Sequence, residues 1–239
     1  MFGTITTIFN NILYYPLFNA LVLLYKYLPG HDFGVAIIVL TFIIRLILYF
    51  PSLKAIRSQK ALSEIQPRIQ EIQKTHKDDK IKQGEEMMEL YKKAKINPFS
   101  GCLPTLIQLP FLIALYRVFW KGLRPEELVN LYSFVLNPGQ ISPNFLGIIN
   151  LSSPNILLAV IAGIFQFLQT KMLTPKTKKS GKSSDFSVIM QKQMVYVFPV
   201  MTIVILWKLP SAIGLYWIVS SLFSVVQQYV IFKKYPRTI

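Results

Sequence analysis

The chain has 239 residues, of which 52% are hydrophobic and 15% charged, and its mean hydropathy is +0.42. With several long apolar runs, this composition excludes an ordinary soluble domain and indicates a protein that crosses a membrane several times. The formal net charge of +15 comes from lysines and arginines scattered over loops, so we expect no specific nucleic-acid partner. The single cysteine, Cys102, excludes an internal disulfide and a cysteine metal cluster.

Residues 1–32 are apolar but are interrupted by asparagines and Pro16. From Leu17 to Leu28 the apolar residues recur at helical spacing, and tyrosines suited to the headgroup depth flank them. We therefore predict an amphipathic helix that lies in the membrane interface. The alternative is a weakly hydrophobic transmembrane helix.

Residues 33–54 form the predicted first transmembrane helix, because a hydrocarbon core about 30 Å thick needs roughly 20 apolar residues. The run contains Arg45, and an arginine at that depth costs at least about 2.5–3.5 kcal/mol unless water or a partner relieves it. Arg45 either snorkels past Lys54 to the headgroups or faces a wet cavity in the bundle. No Asp or Glu occurs in any predicted span, and an unpaired cation favours the cavity and a transient anionic guest.

Residues 55–100 are polar and rich in both signs of charge. Two apolar stripes at three- and four-residue spacing are separated by the turn-like residues 77–80. The first stripe is Ala61, Ile65, Ile69 and Ile72, and the second is Ile81, Met88, Tyr91 and Ala94. This pattern predicts a helical hairpin outside the membrane, with Pro67 bending or starting its first helix. The alternative is a loop that only keeps the chain soluble.

Residues 101–239 complete the predicted five-span core. The remaining spans are 102–120, with a kink expected near Pro110, 156–172, 195–209 and 212–232. Residues 122–154 are predicted to be a loop with one short helix at 126–136. A basic loop at 173–192 and a short basic tail at 233–239 complete this part. The architecture is therefore an all-α, polytopic membrane protein.

The distribution of basic residues predicts the orientation in the cell membrane. The segments rich in Lys and Arg, which fall on one side of a five-span chain, are 54–95, 171–192 and the tail. The nearly base-free segments on the other side are 1–32, 122–154 and 209–211. The positive-inside rule then places the hairpin and the C-terminus in the cytoplasm and the N-terminus outside.

The sequence contains no nucleotide-binding, metalloprotease or hydrolase motif, so we expect no enzyme, metal or cofactor. What remains is a set of polar residues on the predicted spans, which are candidates to line a groove. They are Thr41, Arg45, Gln108, Gln166, Gln169, Ser220, Ser224, Gln227 and Gln228. Two alternatives are interhelical hydrogen bonding in a dry bundle and a solute path through a channel or secondary transporter.

An ordered series of short motifs runs through the chain from about Tyr15. It comprises TFIIR at 41–45, QP at 66–67, DDK at 78–80, EMMELYK at 86–92, NP at 97–98, GCLP at 101–104, QLP at 108–110, ALY at 114–116, Gly163, QFLQTKM at 166–172, FPVM at 198–201, LPS at 209–211, LYW at 215–217 and QQ at 227–228. In these motifs the chain resembles the YidC/Oxa/Alb membrane protein insertases.

The resemblance implies a five-helix core with a groove that opens to the cytoplasm and to lipid. It implies that Arg45 is the groove arginine with Thr41 beside it, and that substrate helices slide past Tyr216 and Trp217, near Gln166. Expected partners are nascent membrane proteins and the lipid bilayer, with the Sec translocon and the ribosome as further candidates. A scaffold that only assists folding after insertion is the remaining alternative. Arg117, in the second span, has no role in this prediction.

Overall fold

The computed structural model describes residues 2–97, 103–121, 124–174 and 192–234. Within these ranges the protein is built from α-helices, with two short strands as the exception. The predicted junction at 98–102, nearly all of the predicted basic loop at 173–192, and residues 235–239 of the tail lie outside the described residues.

The N-terminal segment is one helical rod with a π-helical turn in it. Helix α1 is Phe2–Phe9, the π-helical turn is Asn10–Tyr14, and helix α2 is Tyr15–Tyr27. Pro16 stands in the first turn of α2, where its missing N–H costs nothing. The buried face of α2 packs on two helices of the core, and Pro29–His31, a short 3₁₀-helix with Gly30 at φ +82°, turns the chain away.

The predicted straight span at 33–54 is interrupted. Helix α3 is Phe33–Ile47 and helix α4 is Tyr49–Thr75, and they meet at Leu48 with a bend of 67°. Pro51 provides the physical reason, since it cannot donate a backbone hydrogen bond to Ile47 and its ring would clash with that carbonyl. The chain therefore changes direction at Leu48, six residues before the predicted end of the span.

The predicted hairpin is formed by α4 and by helix α5, Lys80–Lys93. The carboxylate of Asp79 caps α5 by accepting a hydrogen bond from the Lys82 backbone N–H at 3.0 Å. Ile69 is buried, and His76 Nε2 lies 2.9 Å from Glu86 Oε1 on the facing helix. Pro67 neither starts nor ends a helix, because α4 continues through it.

Four further helical segments complete the bundle. They are α6, Leu103–Lys121; α7, Ile156–Leu173; a π-helical turn, Gln193–Val197, that leads into α8, Phe198–Leu206; and α9, Ser211–Lys234. Helix α9 is central, since it packs against α7 and α3 most extensively. Helix α6 continues through Pro110. Gly163 lets α7 and α8 approach closely, because a Cβ there would lie 2.4 Å from the Ile203 side chain.

The loop between α6 and α7 covers one end of the bundle. The predicted helix at 126–136 is shorter than expected: a 3₁₀-helix, Pro125–Asn130, ends where the Tyr132 N–H donates to the Asn19 side chain. Strands β1, Asn144–Phe145, and β2, Ile149–Asn150, pair antiparallel. The Phe145 ring sits where a Cβ of Gly34 would be, so the start of α3 is held against this loop.

Several of the described helices can cross a membrane. By length and hydropathy they are Gly3–Tyr27, Ile156–Leu173 and Ser211–Lys234, with the bent pair α3–α4 as a fourth. The prediction of an all-α, polytopic membrane protein is confirmed. The N-terminal rod is long enough to span, but its second half contacts the 124–151 loop, from Tyr14 to Tyr25. Those contacts favour an interfacial position, which stays a prediction together with the count of five spans.

Candidate functional site

The Arg45 side chain leaves α3 towards α9. Its Nε donates to the Ser220 hydroxyl oxygen at 2.8 Å, and one of its terminal nitrogens donates to the same oxygen. A guanidinium has five N–H donors in a rigid fork, so three of them have no bond within the described part of the chain. The guanidinium is therefore oriented by Ser220 and still has donors to offer a guest.

Arg45 forms no salt bridge with any carboxylate of the described residues. The residue is partly exposed, whereas Ser220 is only 4% exposed. A buried charge without a counter-ion would cost several kcal/mol, so an arginine at this depth needs water or a polar group of another molecule beside it. The guanidinium is bound to the neighbouring helix, and the choice between a wet cavity and the headgroups stays a prediction.

Two hydroxyl groups of the predicted site are engaged by their own helices. Thr41 donates to the Ile37 carbonyl oxygen at 2.6 Å, and Ser224 donates to the Ser220 carbonyl oxygen at 3.0 Å. Both residues are buried. The two hydroxyls thus bond within their own helices and are not direct partners of Arg45.

Gln108 and Tyr216 extend the polar group to α6. The Gln108 amide nitrogen donates to the Tyr216 hydroxyl, and Tyr216 precedes Ser220 by four residues, so both side chains lie on the same face of α9. Tyr216 is 2% exposed, so its ring lies inside the bundle. We call Arg45, Ser220, Tyr216 and Gln108 the Arg45 cluster; it joins α3, α9 and α6.

Gln166 and Trp217 form a separate contact between α7 and α9. The Trp217 indole N–H donates to Gln166 Oε1 at 2.8 Å. Successive residues of a helix point about 100° apart, which is why Tyr216 faces inward while the neighbouring Trp217 is partly exposed. Gln169 is also partly exposed and has no side-chain hydrogen bond among the described residues. The structure therefore does not bring these residues into the Arg45 cluster.

Sequence reasoning missed the contacts of α9 with the bend at Leu48. Ser52 donates to Gln227 Oε1 at 2.9 Å, and Gln227 Nε2 donates to the Tyr49 carbonyl oxygen at 3.4 Å. Pro51 was the available signal, since it predicts a helix break at this point. In addition, Gln228 Oε1 is buried without a hydrogen-bond partner in the described part of the chain.

The described residues bring together no group of three or more His, Cys, Asp or Glu side chains that could hold a metal ion. The chemistry that the Arg45 cluster offers is the binding of a negative or strongly polar group by an oriented cation. Fold and cluster together define a class: a polytopic, α-helical membrane protein with a cluster of polar side chains between its helices.

Comparison with known proteins makes the assignment specific. The family described as "60Kd inner membrane protein" matches residues 23–238. A membrane protein insertase YidC of Fusobacterium nucleatum is 37% identical over 203 residues, which cover 85% of this chain and 87% of the relative. One of Oceanobacillus iheyensis is 35% identical over 230 residues, 95% of this chain and 84% of the relative. The chain belongs to this family.

A further relative differs in length. The membrane protein insertase YidC of Francisella tularensis subsp. novicida is 34% identical over 207 residues, which are 87% of this chain but 34% of the relative. The matched region is thus nearly the whole of the present chain and about a third of that longer protein.

Proposed function

We propose that this protein is a membrane protein insertase in which the Arg45 cluster receives the polar tail of a nascent membrane protein. The hairpin and the C-terminus lie in the cytoplasm and the N-terminus outside. The observation that carries the proposal is the state of Arg45: one hydroxyl oxygen orients it, three N–H donors are unused among the described residues, and no described carboxylate pairs with it.

Insertion would begin when a short, acidic tail enters the wet space beside Arg45. A carboxylate that leaves water loses its hydration, and a bidentate bond to the guanidinium offsets part of that cost. The tail then has only the remaining part of the bilayer to cross. Arg45 acts here as a binding element and not as a catalyst, because no covalent bond changes.

The apolar segment of the substrate would enter lipid along α7 and α9, past Trp217. A helix of about 20 residues gains roughly 0.3–0.6 kcal/mol for each favourable residue, which adds up to several kcal/mol. That gain outweighs one transient polar passage and requires no nucleotide. The hairpin receives or gates the substrate on the cytoplasmic side; the Sec translocon and the ribosome are candidate partners at this step.

The test compares Arg45→Ala and Arg45→Lys in proteoliposomes, with two substrates that differ only in an acidic or a neutral tail. A charge-assisted hydrogen bond is worth about 1.5–3 kcal/mol, so Arg45→Ala should lower insertion of the acidic-tailed substrate by about 10- to 100-fold. Arg45→Lys should retain much of it, and the neutral tail should be affected little by either change. Insertion is measured as protection of the tail from added protease. If both variants inserted the acidic-tailed substrate as well as the parent protein does, Arg45 would have no part in the mechanism.

A further inference from the structure

The bend at Leu48 is a weak point in the chain. Pro51 removes one intrahelical hydrogen bond there, and Leu48 has φ −84° and ψ 7°, outside helical geometry. Helix α4 continues for 27 residues beyond it, about 40 Å at 1.5 Å per residue, so a rotation of about 10° at the bend would move its far end by about 7 Å. Something outside the bend must therefore hold the hairpin at one angle.

Helix α9 forms hydrogen bonds with the chain on both sides of this bend. Before it, Arg45 is bound to Ser220. After it, Gln227 uses both ends of its amide: the oxygen accepts from Ser52 and the nitrogen donates to the Tyr49 carbonyl. Because donor and acceptor sit on one planar group, the pair of bonds restricts rotation of the first turn of α4 as well as its distance from α9.

Gln227 is well placed for this task because it is only 5% exposed, so little water competes for its amide. It lies seven residues after Ser220 on the same helix, about 10 Å along the axis. One rigid element thus carries the partner of Arg45 and the support of the hairpin.

We propose that Gln227 is a positioning residue that fixes the angle between α3 and α4 through Ser52 and Tyr49, and so holds the hairpin in register with the Arg45 cluster. What the hairpin does for the substrate rests on the proposed function, but the angle itself does not. Loss of the Gln227 amide therefore leaves the packing of Ala55 and Ile56, which are buried, and the contact of Lys60 with the Phe232 ring to hold the start of α4. The angle of the hairpin should then become less well defined.

The experiment measures one distance by electron-spin resonance in lipid nanodiscs. Spin labels go on Ile81 near the tip of the hairpin and on Leu157 at the start of α7, which are 78% and 61% exposed, with Cys102 replaced by Ser. In the parent protein we expect one narrow distance distribution. Gln227→Ala should widen it at least twofold, while the protein stays folded and the thermal unfolding midpoint falls by no more than several degrees, as expected for the loss of two hydrogen bonds.

Ser52→Ala provides an independent test, since it removes one of the two bonds by deleting a single oxygen atom. It should also widen the distribution, and the double variant should be no wider than Gln227→Ala alone, because both changes break one linkage. Gln193→Ala, at an exposed glutamine of the turn before α8, is the matched control and should leave the distribution unchanged. A parent-like distribution in Ser52→Ala and Gln227→Ala would overturn the proposal.

The insertion assay separates this inference from the proposed function. A displaced hairpin should lower insertion of acidic- and neutral-tailed substrates by the same few-fold factor, whereas Arg45→Ala should act on the acidic tail alone. A wide distribution in Gln227→Ala would uphold the positioning role even if Arg45→Ala left insertion intact. A change in tail preference in Gln227→Ala would contradict that role and indicate direct contact with the tail.

Discussion

Two arginines, Arg45 on α3 and Arg117 on α6, lie in apolar helices and are treated differently by their surroundings. Arg45 has one hydroxyl oxygen as its partner. Arg117 donates to Asn10 Oδ1 at 2.7 Å, and its guanidinium lies 4.8 Å from the centre of the Tyr14 ring and 5.7 Å from that of Phe9. Both side chains are partly exposed. The hydrogen bonds of Arg45 go to one hydroxyl of α9, whereas Arg117 also lies against two aromatic rings of the N-terminal rod.

The contacts of Arg117 explain what an arginine does when it serves the fold. Asn10 and Tyr14 begin and end the π-helical turn of the N-terminal rod, and the wider turn brings both side chains to Arg117. The Tyr14 hydroxyl in turn donates to Glu127 Oε2 at 2.7 Å. Arg117 thus joins α6, the N-terminal rod and the loop that covers this end of the bundle. Among the described residues Arg45 has hydrogen bonds to α9 alone, so we expect Arg117 to serve the fold and Arg45 to be available for binding.

The largest expected difference between the two arginines is in the stability of their alanine variants. Arg117→Ala removes a charged hydrogen bond and two cation–π contacts, which we expect to cost about 1–3 kcal/mol for this partly exposed site. The thermal unfolding midpoint in detergent should fall by several degrees. Arg45→Ala should lower the midpoint less, because the loss of its bonds to Ser220 is offset in part by removal of a charge that is costly to bury.

Arg117→Lys is the control for that comparison. It keeps the positive charge but loses the planar fork, so its midpoint should lie between those of the parent and the alanine variant. The folded fraction of Arg117→Ala should keep the preference for acidic tails. A larger fall in the midpoint for Arg45→Ala than for Arg117→Ala would reverse the roles assigned to the two residues.

A smaller effect is expected at Ser220. Ser220→Ala removes the oxygen that orients Arg45 but leaves the charge, so insertion of an acidic-tailed substrate should change by less than about threefold, in line with one hydrogen bond of about 0.5–1.5 kcal/mol. Ser224→Ala is the matched control one turn along α9, since Ser224 bonds only to the Ser220 carbonyl. The assay is the same protection of the tail. A loss at Ser220 as large as that of Arg45→Ala would mean that the hydroxyl itself binds the substrate.

The sequence predicted most of the helices but not the directions in which their side chains point. Apolar runs and stripes with a period of 3.6 predicted the core helices and the hairpin, because each helix must bury or expose one face. The bend at Leu48 was missed, although Pro51 was present, because hydropathy continues unchanged through residues 47–50. The small strands at residues 144–150 are set by contacts with Gly34 and Asp32, far away in the chain, which no local pattern encodes.

The candidate site shows the same division. The lack of Asp or Glu in the spans identified Arg45 from the sequence alone. In the sequence the hydroxyls of Thr41 and Ser224 look equivalent to that of Ser220. Only the fold separates a hydroxyl that bonds to a backbone carbonyl of its own helix from one that contacts a side chain of a neighbouring helix. Tyr216 and Trp217 were treated as one pair, although adjacent positions on a helix face different partners.

The central claim is that water reaches the Arg45 guanidinium within the bundle. Solid-state NMR of protein labelled with nitrogen-15 at arginine and serine, in bilayers, tests it by the rate at which magnetisation passes from water to each labelled nitrogen, with the Arg45 side chain assigned from its loss in Arg45→Lys. We predict that the Arg45 signal rises nearly as fast as that of Arg68, which is exposed on the hairpin. A rise as slow as that of the buried backbone amide of Ser221 would show a dry site and contradict the proposed function.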